Sequence, residues 1–242
     1  MARWFEGPLA SFDTETTGVD VEHDRIVSAA LVVQDTPDSA PRARRWLVDP
    51  GVPVPEAATA IHGLTDAHLR AHGTPPGPAT EEMARALAAV SARAVPLVVM
   101  NAPFDLTLLD RELKRHRGLT LAGYLERSAM CVLDPRVLDK YADRYRKGRR
   151  TLTDLCAHYE VSLTDAHDAA ADALASLHVV RAMGRRYAER GIGAMPAAEL
   201  HVRQALWHAA QVRGLQAWFA RNGSPERCDP AWPLRPELPE AA

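Results

Sequence analysis

Cysteine, lysine and aromatic residues are all scarce in this chain, and long apolar runs are missing. The three cysteines, Cys131, Cys156 and Cys228, are too few and too far apart for a disulfide framework or a zinc knot, so buried thiols are expected. No stretch approaches the ~18 uninterrupted apolar residues of a membrane span. The opening Met1-Ala2-Arg3-Trp4-Phe5-Glu6 lacks a signal peptide's apolar core, and a cytoplasmic protein is expected. A formal charge of −2 argues neither for nor against a polyanionic partner. What is present is globular in composition, with 47% hydrophobic and 25% charged residues. The 242 residues are long for one small domain and short for two full ones.

The first fifty residues read as three strands, over 8–13, 25–33 and 45–48, joined by turn-rich pieces at 17–20 and 36–41. Connections this short favour an antiparallel meander, because a parallel crossover needs a dozen residues or more. Helices follow Pro53 and Pro55, among them one over 81–93 capped by Thr80. Strand and helix then alternate: strands at 96–100 and 130–133, helices at 104–117, 152–159 and 168–190. The expected fold class is α/β, a mixed five-stranded sheet of three antiparallel strands and then βαβα, flanked by helices. A catalytic domain over 1–194 would precede a helical extension over 195–223, whose Trp207 and Trp218 share a stripe with Leu200 and Gln211. Five prolines after Ser224 indicate an extended tail over 224–242 rather than a packed element.

The residues that carry chemistry sit in three places. Asp13 and Glu15 end the first strand, and residues two apart on a strand point to one face. Paired acids there raise each other's pKa, and burying them costs several kcal/mol without a counter-charge. Asp105 lies in Asn101-Ala102-Pro103-Phe104-Asp105, at the junction of a strand and its helix, where ligands of α/β sheets commonly bind. His167 stands in a loop just before a helix of small residues that carries Asp172. Four acids balance two divalent cations, and such ions ~3.5–4 Å apart hold the attacking and leaving oxygens of an in-line displacement at phosphorus. A histidine side chain, which ordinarily titrates near ~6.5, supplies a base at neutral pH.

Phe12-Asp13-Thr14-Glu15-Thr16-Thr17-Gly18, Asn101 to Asp105, and His167 followed by Asp172 resemble, in order and separation, the three motifs of the DnaQ-like, or DEDDh, 3′→5′ exonucleases. Ile61-His62-Gly63-Leu64-Thr65 is similar to a further segment of that family, and the likeness spans roughly residues 7–190. The resemblance implies a ribonuclease H-like fold. It implies two Mg²⁺ or Mn²⁺ ions on Asp13, Glu15, Asp105 and Asp172, with His167 as general base. Thr14, Thr16, His62, Asn101 and Phe104 would position the 3′-terminal nucleotide. The implied reaction releases nucleoside 5′-monophosphates from the 3′ end of a strand. Single-stranded DNA is favoured, because the Thr-Glu-Thr-Thr-Gly and Ile-His-Gly-Leu-Thr segments resemble the polymerase-associated branch, with proofreading and DNA repair as settings. Met100 departs from the pattern, since many members carry a polar residue there.

Other readings stay open at this stage. The same motifs occur in exoribonucleases, and discrimination would rest on contacts to the 2′-hydroxyl. A polymerase-tethered accessory module, bound through the C-terminal helix, is compatible with the extension. An HD-type phosphohydrolase is disfavoured by five strand signals, and a haloacid-dehalogenase phosphatase by Glu15, where an aspartate is needed. The basic run Arg136 to Arg150 holds seven Lys/Arg against Asp139 and Asp143. It reads either as a solvated face or as a track for the substrate's phosphates.

Overall fold

The computed structural model describes residues 3–125, 129–164 and 166–237, and its five strands form one sheet in the order β3-β2-β1-β4-β5. The antiparallel meander comprises β1 (Leu9–Thr16), β2 (Ile26–Gln34) and β3 (Arg42–Leu47). Next to it β4 (Leu97–Val98) and β5 (Val132–Leu133) run parallel to β1. The sheet is mixed and five-stranded, as the pattern predicts.

β1 lies between β2 and β4, and its first half is buried on both faces. Its alternation divides the core. Ala10 and Phe12 pack with residues of α3 (Pro76–Ala92) and α4 (Ala102–Arg117), while Leu9 belongs to the cluster that includes α8 (Ala169–Arg186). Asp13 and Glu15 continue the period of two from Leu9, so they emerge on the α8 side at the C-terminal end of the strand. Small residues let α8 come close: Ala169, Ala170, Ala173 and Ser176 are all buried. At Gly184 a Cβ would lie 2.4 Å from Cγ of the buried Phe5, so only glycine fits that contact.

Two short helices, α1 (Glu56–His62) and α2 (Asp66–His72), fill the segment after Pro55. Thr80 does not cap a helix. α3 starts four residues earlier, where Pro76 occupies a first-turn position that needs no N–H, and the Thr80 hydroxyl donates to Pro76 O at 2.7 Å. The pattern reading did not include α5 (Leu121–Leu125) or α6 (Pro135–Ala142). It did mark α7 (Leu152–Tyr159), which opens with a reciprocal cap between Thr151 and Asp154.

β5 is an edge strand, and α9 (Ala197–Arg221) closes that edge with side chains. Val132 N–H donates to His201 Nδ1 at 3.1 Å, Gln204 Nε2 donates to Val132 O at 2.9 Å, and Asp134 N–H donates to Gln204 Oε1 at 2.7 Å. The tryptophan stripe divides: Trp207 stacks on Tyr141 at 3.6 Å, whereas Trp218 is 51% exposed. Over its described residues, 224–237, the proline-rich segment is extended and partly packed, where an extended tail rather than a packed element is expected. Trp232 is buried against the core, Arg235 N–H donates to Thr107 Oγ1 at 3.0 Å, and Arg111 Nη2 donates to Pro236 O at 2.7 Å. Proline content signals an extended backbone, but an apolar ring every few residues still docks it. The three thiols are free, with burial pushing Cys131 and Cys156 up to about 11. Among the described residues, no helix is long and apolar enough to cross a membrane.

Candidate active site

Four separate segments deliver the acids and the histidine to one end of the sheet. Asp13 and Glu15 stand at the end of β1, where the pairing with β2 slips between Glu15 and Thr16. Asp105 comes from the first turn of α4 and is almost fully buried, accepting hydrogen bonds from Thr14 N–H at 3.1 Å and Thr14 Oγ1 at 2.7 Å. Asp172 lies in the first turn of α8. His167, in a left-handed conformation at φ 71°, turns the chain just ahead of that helix, and its N–H donates to Asp172 Oδ2 at 3.4 Å. Glu15, His167 and Asp172 each present a ligating atom within 4.8 Å of the others.

The electrostatics follow from this crowding. Burial raises the Asp13 carboxyl well above its usual range, and Asp105, Asp172 and Glu15 add to the rise. Glu15 is pushed up to about 8 by burial and then by Asp172 and Asp105. Asp105 is pushed up to about 7 by burial, with the Thr14 hydrogen bonds working against the rise. Asp172 is also raised by burial, and its Oδ1 is a buried oxygen with no hydrogen-bond donor. A protein gains nothing in stability from converging four acids and orphaning an acceptor. Hard divalent cations fit this set, since carboxylate oxygens are their preferred donors and the positive charge removes the mutual repulsion.

Two aspartates absent from the motif reading hold the framework. Asp168 caps α8, accepting from the N–H groups of Ala170 at 3.1 Å and Ala171 at 2.9 Å. Although burial works against it, Arg45 Nη1, donating to both carboxylate oxygens at 2.8 and 2.6 Å, holds Asp168 below the ordinary carboxylate range. The same contact ties the helix bearing Asp172 to β3. Asp134 is buried and caps two helices at once. It accepts from Asn101 N–H at 3.2 Å and Ala102 N–H at 3.0 Å, where α4 begins, and from Arg136 N–H at 2.9 Å in α6. Asn101 adopts a left-handed backbone at φ 63° and offers α4 no side-chain cap, so Asp134 replaces it. Leu133-Asp134-Pro135 carried a helix-start signal, aspartate before proline, that would have found α6.

The five residues expected at the nucleotide are placed unequally. The hydroxyls of Thr14 and Thr16 are engaged within the fold, on Asp105 and on Gly18 O at 2.6 Å. What these threonines present is mainly backbone. His62 Nδ1 accepts from Leu64 N–H at 3.1 Å, which leaves the ring proton on Nε2. Burial lowers the His62 pKa, while the Thr16 backbone works against that fall and His167 adds to it, which puts His62 beside the end of β1. Asn101 Oδ1 accepts from Arg136 Nη1 at 3.1 Å. Phe104 is half-buried, with part of its ring against the core.

The exonuclease family RNase_T matches residues 11–180. Among curated proteins, a DNA polymerase III subunit epsilon-like protein of Rhodobacter capsulatus is 38% identical over 110 residues, covering 42% of this chain and 14% of that protein. An uncharacterized exonuclease of Escherichia phage 186 is 30% identical over 200 residues, covering 76% of this chain and 91% of the phage protein. Among solved structures, E. coli exonuclease I in complex with a dT13 oligonucleotide superposes with a TM-score of 0.64 at 18% identity, over 76% of this chain and 42% of that one. Exonuclease I from Methylocaldum szegediense gives 0.62 at 19% identity, over 74% and 41%. The chain thus spans about two fifths of those enzymes and a seventh of the Rhodobacter protein, and the structural likeness is one of fold.

Proposed function

The chain belongs to the RNase_T exonuclease family, and from that premise we propose that it removes nucleoside 5′-monophosphates from the 3′ end of single-stranded DNA. One observation carries the reading: Asp105 and Asp172, from segments remote in sequence, come close enough to Asp13 and Glu15 to add to the rise of both carboxyls, with His167 beside Glu15 and Asp172. In this reading the four carboxylates hold two Mg²⁺ or Mn²⁺ ions, which when bound supply Lewis acidity at the scissile phosphate and charge stabilisation at the leaving oxygen. His167, exposed beside Glu15 and Asp172, takes the proton of the attacking water. As the water oxygen bonds to phosphorus, the bond to the 3′-oxygen of the next nucleotide breaks. Thr14 keeps Asp105 oriented, and the Arg45–Asp168 contact keeps Asp172 in place. His62, Asn101 and the open face of Phe104 receive the terminal nucleotide, the ring stacking on a base of any identity.

The preference for single-stranded DNA draws support from the dT13 oligonucleotide bound by exonuclease I. A role beside a DNA polymerase, in proofreading or repair, draws on the relatives named as polymerase III proteins. The test separates the proposed roles. Asp13→Ala is expected to abolish degradation and weaken Mn²⁺ binding measured by calorimetry. His167→Ala is expected to retain Mn²⁺ binding and slow degradation by ~10²–10⁴-fold, as loss of a general base does. Unimpaired degradation by either variant would overturn the assignment.

A further inference from the structure

The basic run between Arg136 and Arg150 separates into two groups. Arg146 and Arg150 are structural: both donate to Asp139 Oδ2, at 3.0 and 2.6 Å, and Asp139 is fully buried, accepting also from Tyr159 OH at 2.9 Å. Arg136, Lys140, Arg144, Lys147 and Arg149 form no ion pair with a carboxylate among the described residues. Arg136 starts the series at the site itself, on Asn101 Oδ1. Lys140 follows one turn later on α6, with Nζ on Arg144 O at 3.4 Å. Burial, then the charges of Arg150 and Arg144, hold Lys140 below the ordinary lysine range.

Aromatic rings are interleaved with these cations. Tyr145 is 87% exposed, with the Arg144 guanidinium 5.7 Å from its ring centroid. Tyr141, one turn earlier, is 41% exposed and backed by Trp207 in a stack tilted by 10°. We propose that α6 and the turn after it bind the strand upstream of the 3′ end, a single-stranded nucleic acid whose phosphates meet Arg136, Lys140, Arg144, Lys147 and Arg149 and whose bases stack on Tyr141 and Tyr145. Unpaired cations with open aromatic faces are the combination that recognises such a strand without reading its sequence. An acidic protein surface would use the cations but has no need of the rings. This inference rests on the exonuclease reading for the position of the 3′ end at Asn101.

The experiment measures binding, so that it stands apart from catalysis. Fluorescence anisotropy with 5′-labelled dT16 in Mg²⁺, on an Asp13→Ala background, gives affinity across a series of salt concentrations. Adding Arg144→Ala, Lys147→Ala and Arg149→Ala should flatten the plot of log affinity against log salt by about 2, at ~0.7 for each phosphate contact in a single strand. Adding Tyr145→Ala alone should weaken binding about tenfold and leave the slope in place. Arg93→Ala with Arg190→Ala removes charge elsewhere and serves as control. A triple variant with the control's slope, or a wild-type protein that ignores dT16, would overturn the proposal. Equal loss of affinity for dT16 and poly-glutamate, with Tyr145→Ala silent, would overturn it in favour of an acidic protein partner. Binding that follows the expected pattern in a protein that degrades no strand would sink the exonuclease reading and leave the track standing.

Discussion

Asp105→Asn offers a direct test of the cost of burying a carboxylate at the end of β1. The amide keeps an oxygen for both Thr14 hydrogen bonds and removes only the charge. In the folded, metal-free protein Asp105 titrates at about 7, against about 4 in an unfolded chain. The folded state therefore binds the extra proton, and the wild-type protein loses stability as pH rises from about 4 to about 7, then levels off. Between pH 5 and pH 8 the loss from this one group is on the order of 3 kcal/mol, two pH units at 1.36 kcal/mol each. Burying the amide's own hydrogens carries a penalty that does not change with pH and cancels in the comparison. Urea unfolding in EDTA at both pH values measures it. The Asp105→Asn variant should gain on wild type by about 3 kcal/mol on going from pH 5 to pH 8. A difference between the two proteins that stays constant with pH would refute the reasoning.

Divalent ions compete with protons for the same oxygens, so Mn²⁺ should raise the melting temperature of the wild-type protein more at pH 8 than at pH 5. Equal increments at the two pH values would count against the site. Gln204→Ala strips the partners from Val132 O and Asp134 N–H, and should lower stability by about 2–6 kcal/mol in urea unfolding, at ~1–3 for each orphaned group. A loss below ~0.5 kcal/mol would mean that α9 is not part of the sheet's support. Asp139→Ala leaves Arg146 and Arg150 with no counter-charge and should cost about 3–5 kcal/mol, while Lys147→Ala should fall within ~0.5 kcal/mol of wild type.

The candidate acids were legible as a group because the chemistry proposed for them constrains sequence locally. Two acids must share a strand face at Asp13 and Glu15, and the small residues after Asp168 let a helix reach the sheet. The antiparallel meander was equally readable, since the connections after β1 and β2 are too short for a crossover. What stayed hidden depends on pairing at a distance. Nothing local tells that Arg150 will meet Asp139 eleven residues back while Arg144 stays free, so the basic run looked uniform. Asp134 serves α4 across 32 residues, and Gln204 supports β5 across 72. The tail misled for a related reason, because proline content describes backbone shape and the burial of Trp232 depends on α4 and α9.

The central claim meets its most direct test in one gel. Matched 5′-labelled single-stranded DNA and RNA are incubated with the protein in Mg²⁺, Mn²⁺ or EDTA, alongside Asp13→Ala. The account predicts a ladder that shortens from the 3′ end, requires the metal, disappears in the variant and runs faster on DNA. A ladder on RNA alone would contradict the substrate, and intact strands in every lane would contradict the reaction itself.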